Sequence, residues 1–232
     1  MREPIAFFFT PVFPLMMLFL FGSMYGNEPS DLLGGLGSVD VSVPAYTAMI
    51  IGTTGLVSLT ISMASYREKG ILRRLRATPL RPRAILIAEV LVLLLITVVG
   101  VALLIIAAKV VYGLRFGGNA FSVLTAVILS TLSFFALGLV LAGLVPTART
   151  GQVVAMVLFY PMLFLSGASL PWELLPEGVK RFARFLPMPH VVSLLRGLWI
   201  GEAWSEHLVN VGVLAATLVV GVVVSVITFR WE

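Results

Sequence analysis

Tyr66–Arg83 reads YREKGILRRLRATPLRPR, and its composition decides the fold class. Seven basic residues (Arg67, Lys69, Arg73, Arg74, Arg76, Arg81 and Arg83) and one acid, Glu68, share this stretch. Val41–Tyr66 on one side and Val90–Ala108 on the other contain no charged residue. Crossing a bilayer as a helix takes about 20 apolar residues, so both runs predict spanning helices. Lys and Arg resist translocation, which puts a basic loop between two spans on the cytoplasmic side. One segment thus predicts membrane residence, orientation and a surface for a cytoplasmic partner.

The composition agrees. Of 232 residues, 59% are hydrophobic and 12% are charged, against about 25% charged in a soluble domain. Mean hydropathy is +1.05. These values exclude a soluble globular protein. The chain has no cysteine, hence no disulfide framework, thiolate metal site or Cys nucleophile. His190 and His207 are far apart in sequence with no nearby carboxylate cluster, so no metal site is expected. The patterns HExxH, GxSxG and GxxxxGK[ST] are absent, so neither catalysis nor a nucleotide-phosphate cradle is expected of this chain.

Charge-free runs predict an all-α integral membrane protein, a single domain over residues 1–232 with six spans. They cover about 4–27, 44–66, 84–108, 119–145, 150–170 and 208–229. The first apolar run exceeds a signal-peptide core and lacks a clear small-residue cleavage site, so it reads as a retained span. Placing the basic loop inside puts both termini in the cytoplasm. The inside then holds ten basic and four acidic residues, the outside six basic and seven acidic. The net charge of +5 follows from this asymmetry and calls for no nucleic acid. The plasma or inner membrane is the expected location.

Two connecting segments carry further pattern. In the basic loop, Ile71, Leu72 and Leu75 share one helical face while Arg73, Arg74 and Arg76 occupy the rest, and Pro79 ends the run. From charge alone this is an anchor on anionic lipid headgroups; the sharper reading is a helix docked on a cytoplasmic protein. Between spans five and six, Val179, Phe182, Phe185 and Leu186 alternate with Lys180, Arg181 and Arg184. That predicts short helices dipping into or resting on the outer interface, with Trp172, Trp199 and Trp204 at interfacial depth. Glu89, the acid placed well inside a span, is expected to pair with Arg81 or Arg83. The aromatic clusters around Phe13 and around Phe159 and Phe164 suit either a path for an apolar substrate or helix packing.

The order of these features, with REKG-x2-RRLRATPL after span two, resembles the ATP-binding-cassette type-2 permeases, in particular the drug-resistance branch typified by daunorubicin exporters. The family signature maps onto Met162, Leu165, Ser166, Ala168, Leu175–Pro176 and the closing PMPH-x5-R, which supplies Pro187, His190 and Arg196. Phe159 departs from the signature at its first position. The resemblance covers nearly the whole chain. It also implies an amphipathic helix ahead of span one, for which this sequence offers only Met1-Arg2-Glu3.

The resemblance implies a membrane subunit of an exporter of an amphipathic drug, lipid or glycolipid, dimerising with itself or a paralogue. It implies two separate ATPase subunits that hold ATP and Mg, with no cofactor bound by this chain. Glu68, Gly70, Leu72, Arg73, Arg74 and Arg76 are the expected ATPase-coupling residues. The alternative is a membrane scaffold or a passive channel; a channel needs more polar residues along its spans.

Overall fold

The computed structural model describes residues 4–30, 35–71, 82–167 and 176–228, with the backbone alone for 4–11 and 82–84. Every described element is helical, apart from one bridge pairing Ser30 with Leu36. We number the helices α1 (Pro4–Tyr25), α2 (Ser38–Glu68), α3 (Pro82–Tyr112), α4 (Ala120–Leu144), α5 (Ala148–Phe164), α6 (Glu177–Ala183), α7 (Pro187–Ile200) and α8 (Leu208–Thr228). A 3₁₀ turn, Trp204–His207, leads into α8. Four helical segments are long and apolar enough to cross a membrane: α2, Ile85–Tyr112 of α3, α4, and α8 with its preceding turn. The apolar stretch Val12–Tyr25 and α5 are shorter.

The bundle is built around α2, the most enclosed of the four. It packs on α1, α3, α4, α5 and α7, while α4 and α8 share the most extensive contact. With lipid on the outside, burial alone gives little drive for helices to associate, so close backbone approach and interhelical hydrogen bonds matter more. Both are present. A Cβ at Gly138 of α4 would run into the carbonyl oxygen of Gly55 in α2, and a Cβ at Gly55 would lie 2.6 Å from Phe134 Cβ. Thr60 Oγ1 lies 3.1 Å from the Gly138 carbonyl, and the Thr54 and Thr97 hydroxyls meet at 2.9 Å between α2 and α3. Ser133 donates to the Leu214 carbonyl at 2.8 Å, tying α4 to α8. Gly55 lies in a π-helical stretch, Thr53–Ser58, in the middle of α2. Such wide turns displace the register of the side chains that follow.

One expectation changes, and two are met only in part by the described residues. The second span was expected to begin at residue 44, because Pro44 cannot donate within a helix. The helix instead starts at Ser38 and carries Pro44 inside it. Its first turn is held from outside: Asn27 Oδ1 accepts from the amides of Val39 and Asp40, both at 3.1 Å. Glu89 was expected to pair with Arg81 or Arg83. The Tyr66 hydroxyl donates to Glu89 Oε2 at 2.9 Å, while Arg81 and the Arg83 side chain lie outside the described residues. Of the two short helices expected to dip into or rest on the outer interface, α7 turns its apolar face into the bundle. Met188, Val191, Leu194 and Leu195 are fully buried and Trp199 is buried with them, so α7 packs into the core. The preceding helix, α6, does leave Phe182 and nearby Phe185 exposed.

Gly138→Ala should destabilise the protein by about 1–3 kcal/mol, the usual cost of overpacking. Gly212→Ala, where nothing lies within 4 Å of the new methyl, should be neutral. Thermal unfolding in detergent compares the two; equal midpoints would show that the α2–α4 approach is not tight.

Candidate functional site

At the end of the bundle where the basic loop leaves α2, two consecutive charges hold the turn between α4 and α5. Arg67 Nη1 donates to the Gly143 carbonyl at 3.2 Å, at the C-terminus of α4. The Ala148 amide, first in α5, donates to Glu68 Oε2 at 2.9 Å. Each charge meets the helix end of opposite partial charge, where the last carbonyls and first amides lack intrahelical partners. Thr147 Oγ1 accepts from the Thr150 amide and completes the α5 cap. After α2 the chain turns at Lys69 and Gly70, and the Gly70 φ of 65° is a conformation glycine adopts without strain. Of the expected coupling residues, Glu68 and Gly70 are therefore placed. Leu72, Arg73, Arg74 and Arg76 lie outside the described residues. Sequence reasoning missed Arg67, whose partner is a backbone atom with no side-chain signature.

Toward the opposite end, a cavity of about 480 Å³ opens between α3 and α4. Val98, Val101, Ala102, Ile105 and Lys109 line it at helical spacing from α3, facing Val123, Leu124 and Val127 of α4. Trp199 and Phe116 form a wall, ring centroids 4.8 Å apart in an edge-to-face contact. The lining is apolar with one ammonium, the chemistry of a slot for an amphipathic molecule. The aromatic residues singled out from sequence lie elsewhere. Phe159 is buried against Tyr160, Phe13 is half-buried against the core, and Phe164 is exposed. Phe13 packs against the same core cluster that holds Phe159.

The wall is positioned by a buried carboxylate that sequence reading assigned to a connecting loop. Asp40 is 2% exposed. Its Oδ1 accepts from Asn27 Nδ2 at 3.0 Å and from the Arg115 amide at 2.9 Å; its Oδ2 accepts from the Gly37 amide at 3.0 Å. Trp199 Nε1 donates to the Arg115 carbonyl at 3.1 Å. One acid thus links the end of α1, the start of α2 and the chain after α3 to the cavity wall. No spacing rule separates such a residue from a solvated loop acid.

The signature residues sit around α6 and α7. Pro176 precedes α6, and Pro187 opens α7, where a missing N–H costs nothing. His190 Nδ1 lies 2.8 Å from Asn210 Oδ1 and its Nε2 lies 2.8 Å from the Arg184 carbonyl. Half-buried Arg196 makes no hydrogen bond or ion pair to another described residue. On α6, Lys180 donates to Glu177 at 2.9 Å and draws that exposed carboxyl below its ordinary range. Among the described residues no three metal-ligating side chains converge.

The profile described as "ABC-2 type transporter" matches residues 1–200. The chain belongs to this family. It is 33% identical over 107 residues to "Nodulation protein J" of Rhizobium leguminosarum bv. viciae, covering 46% of this chain and 41% of that protein. It is 23% identical over 161 residues to "Probable multidrug ABC transporter permease YbhR" of Escherichia coli K12, covering 69% and 44%. "Putative transport permease ycf38" of Porphyra purpurea is 22% identical over 206 residues, covering 88% and 71%. The match thus spans under half the length of the first two relatives. Membership, with the long apolar helices, makes the chain a multi-pass membrane protein of the ABC-2 transporter family.

Asp40→Ala should strand the Gly37 and Arg115 amides and the Asn27 side chain. A buried unsatisfied donor costs about 1–3 kcal/mol, so unfolding in detergent should occur at clearly lower temperature. Asp40→Asn should fall between the variant and the parent. An Asp40→Ala midpoint equal to the parent's would refute the network.

Proposed function

We propose that this chain is the membrane-spanning half of an ATP-driven exporter of an amphipathic substrate, working as a dimer with two cytoplasmic ATPase subunits. In this reading α1, α2, α3, α4, α5 and α8 are six spans, both termini and the basic loop are cytoplasmic, and α6 lies at the outer interface. The charge asymmetry of the sequence supports that orientation. Nucleotide is left to the partner, since the sequence carries no phosphate-cradling motif.

The observation that carries the proposal is the double clasp of Arg67 and Glu68 on the α4–α5 turn. A push on the basic loop is delivered at the root of α2, and the clasp passes it to α4 and α5 as well. Closure of the ATPases would then rock several spans together rather than bend one loop. The α3–α4 cavity offers the apolar slot and single cation that an amphipathic molecule with an acidic group requires. Drug, lipid and glycolipid all satisfy that description.

Glu68→Ala and Leu72→Ala leave every basic residue of the loop in place. Each should lower recovery of the ATPase subunit with the purified permease and lower transport, on the order of tenfold or about 1.4 kcal/mol. Full recovery and full transport in both variants would reduce the loop to a lipid anchor and overturn the proposal.

A further inference from the structure

The two histidines, unrelated in sequence, meet through Asn210 at the start of α8. His190 Nε2 is 2.8 Å from the Arg184 carbonyl, and its Nδ1 is 2.8 Å from the Asn210 amide group. That amide group is 3.2 Å from His207 Nδ1, and His207 Nε2 is 2.8 Å from Glu202 Oε2. Ser193 Oγ is 3.1 Å from the same amide. Both rings are buried, at 9% and 8% exposure. The arrangement is a built one. A Cβ at Gly197 would collide with His207 Nε2 and with Glu202 Oε2, so α7 carries a glycine where the ring and carboxylate cross it.

Counting protons along this chain of contacts gives a definite answer. The Arg184 carbonyl and the Glu202 carboxylate only accept, so His190 Nε2 and His207 Nε2 must each carry a hydrogen. Of the two contacts at Asn210, one is filled by its NH₂ and the other meets its carbonyl oxygen. The ring facing that oxygen must donate from its second nitrogen. Exchanging the oxygen and nitrogen of the amide only changes which ring this is. Two neutral imidazoles carry two N–H groups; the four contacts require three.

From this we infer that His190 and His207 together hold one proton beyond two neutral rings, carried by the ring that faces the Asn210 oxygen and balanced by the Glu202 carboxylate. With that proton in place, the α6–α7 turn, α7 and α8 are clipped together. α7 carries Trp199, the cavity wall, so the clip positions that wall. Removing the proton leaves two acceptors facing each other at one contact, which must open.

The charged surroundings leave Glu202 as the counter-ion. α4 and α8, packed against α7, contain no charged residue. On α2, Asp40 is held by Gly37, Asn27 and Arg115, and Arg67 and Glu68 are held at the α4–α5 turn. Tyr46 of α2 and Tyr160 of α5 make no hydrogen bond to either ring. Arg149 of α5 lies in its first turn. Arg184 enters the network through its carbonyl alone. Arg196 on α7 and Glu206 on the 3₁₀ turn make no hydrogen bond to either ring.

The test reads protons rather than transport. The chain has two histidines, so ¹⁵N-histidine labelling of the whole protein in nanodiscs yields two rings. At pH 7.5 the ring ¹⁵N shifts should report three N–H protons over four nitrogens. Asn210→Asp replaces the amide with a group that accepts from both sides, and the count should rise to four. Two protons in the parent would overturn the inference. Three in both proteins would overturn the assignment of Asn210 as the bridge.

Discussion

The close approach of Gly55 and Gly138 is the contact on which the remaining architecture depends. It sets α2 against α4 backbone to backbone, and the Thr60 hydroxyl then reaches the Gly138 carbonyl. A helix surrounded by other helices in this way has few sides left for lipid, and its polar atoms must find partners inside the protein. Along α2 they do: Thr47, Thr54 and Thr60 all bond backbone carbonyls of the preceding turn. Among the described buried side chains, the Ser130 hydroxyl alone lacks a partner. The result is a central strut whose ends are both engaged, by Asp40 at one and by Arg67 and Glu68 at the other.

Those ends show how charge is used in an apolar protein. Asp40 is acceptable in the interior because donors from three segments converge on it. Arg67 and Glu68 work with the unfilled carbonyls and amides that every helix terminus exposes. Neither device requires an opposing charged side chain. The described ion pairs are confined to α6 and to the Glu202–His207 contact, away from the strut.

How much of this was legible in the sequence depended on the kind of signal. Long apolar runs announce helices because a bilayer demands uninterrupted length, and α4 and α8 (Ala120–Leu144, Leu208–Thr228) lie within the intervals expected from charge alone. Family membership was legible in REKG-x2-RRLRATPL and PMPH-x5-R. The early start of α2 was not, because Asp40 beside a GGLG turn looks like a solvated acid until Asn27 is seen above it. The burial of α7 was hidden by its prolines and by Arg196, both of which suggest a surface. The histidine pair was hidden by distance along the chain; Glu202, His207 and Asn210 form a local cluster, yet the ring they serve lies on another helix. The site around Glu68 was half legible. Its acid among arginines was visible, but its backbone partner was not.

The central claim is that the root of α2 is where force from a cytoplasmic ATPase enters the bundle. A photo-crosslinking amino acid at Lys69, next to the clasp and at the mouth of the basic loop, tests it in intact membranes holding the cognate ATP-binding-cassette subunit. The account predicts a covalent permease–ATPase product from Lys69 and none from Glu206, exposed on the 3₁₀ turn before α8. Crosslinking of Lys69 to lipid alone, or equal capture of the ATPase from both positions, would contradict it.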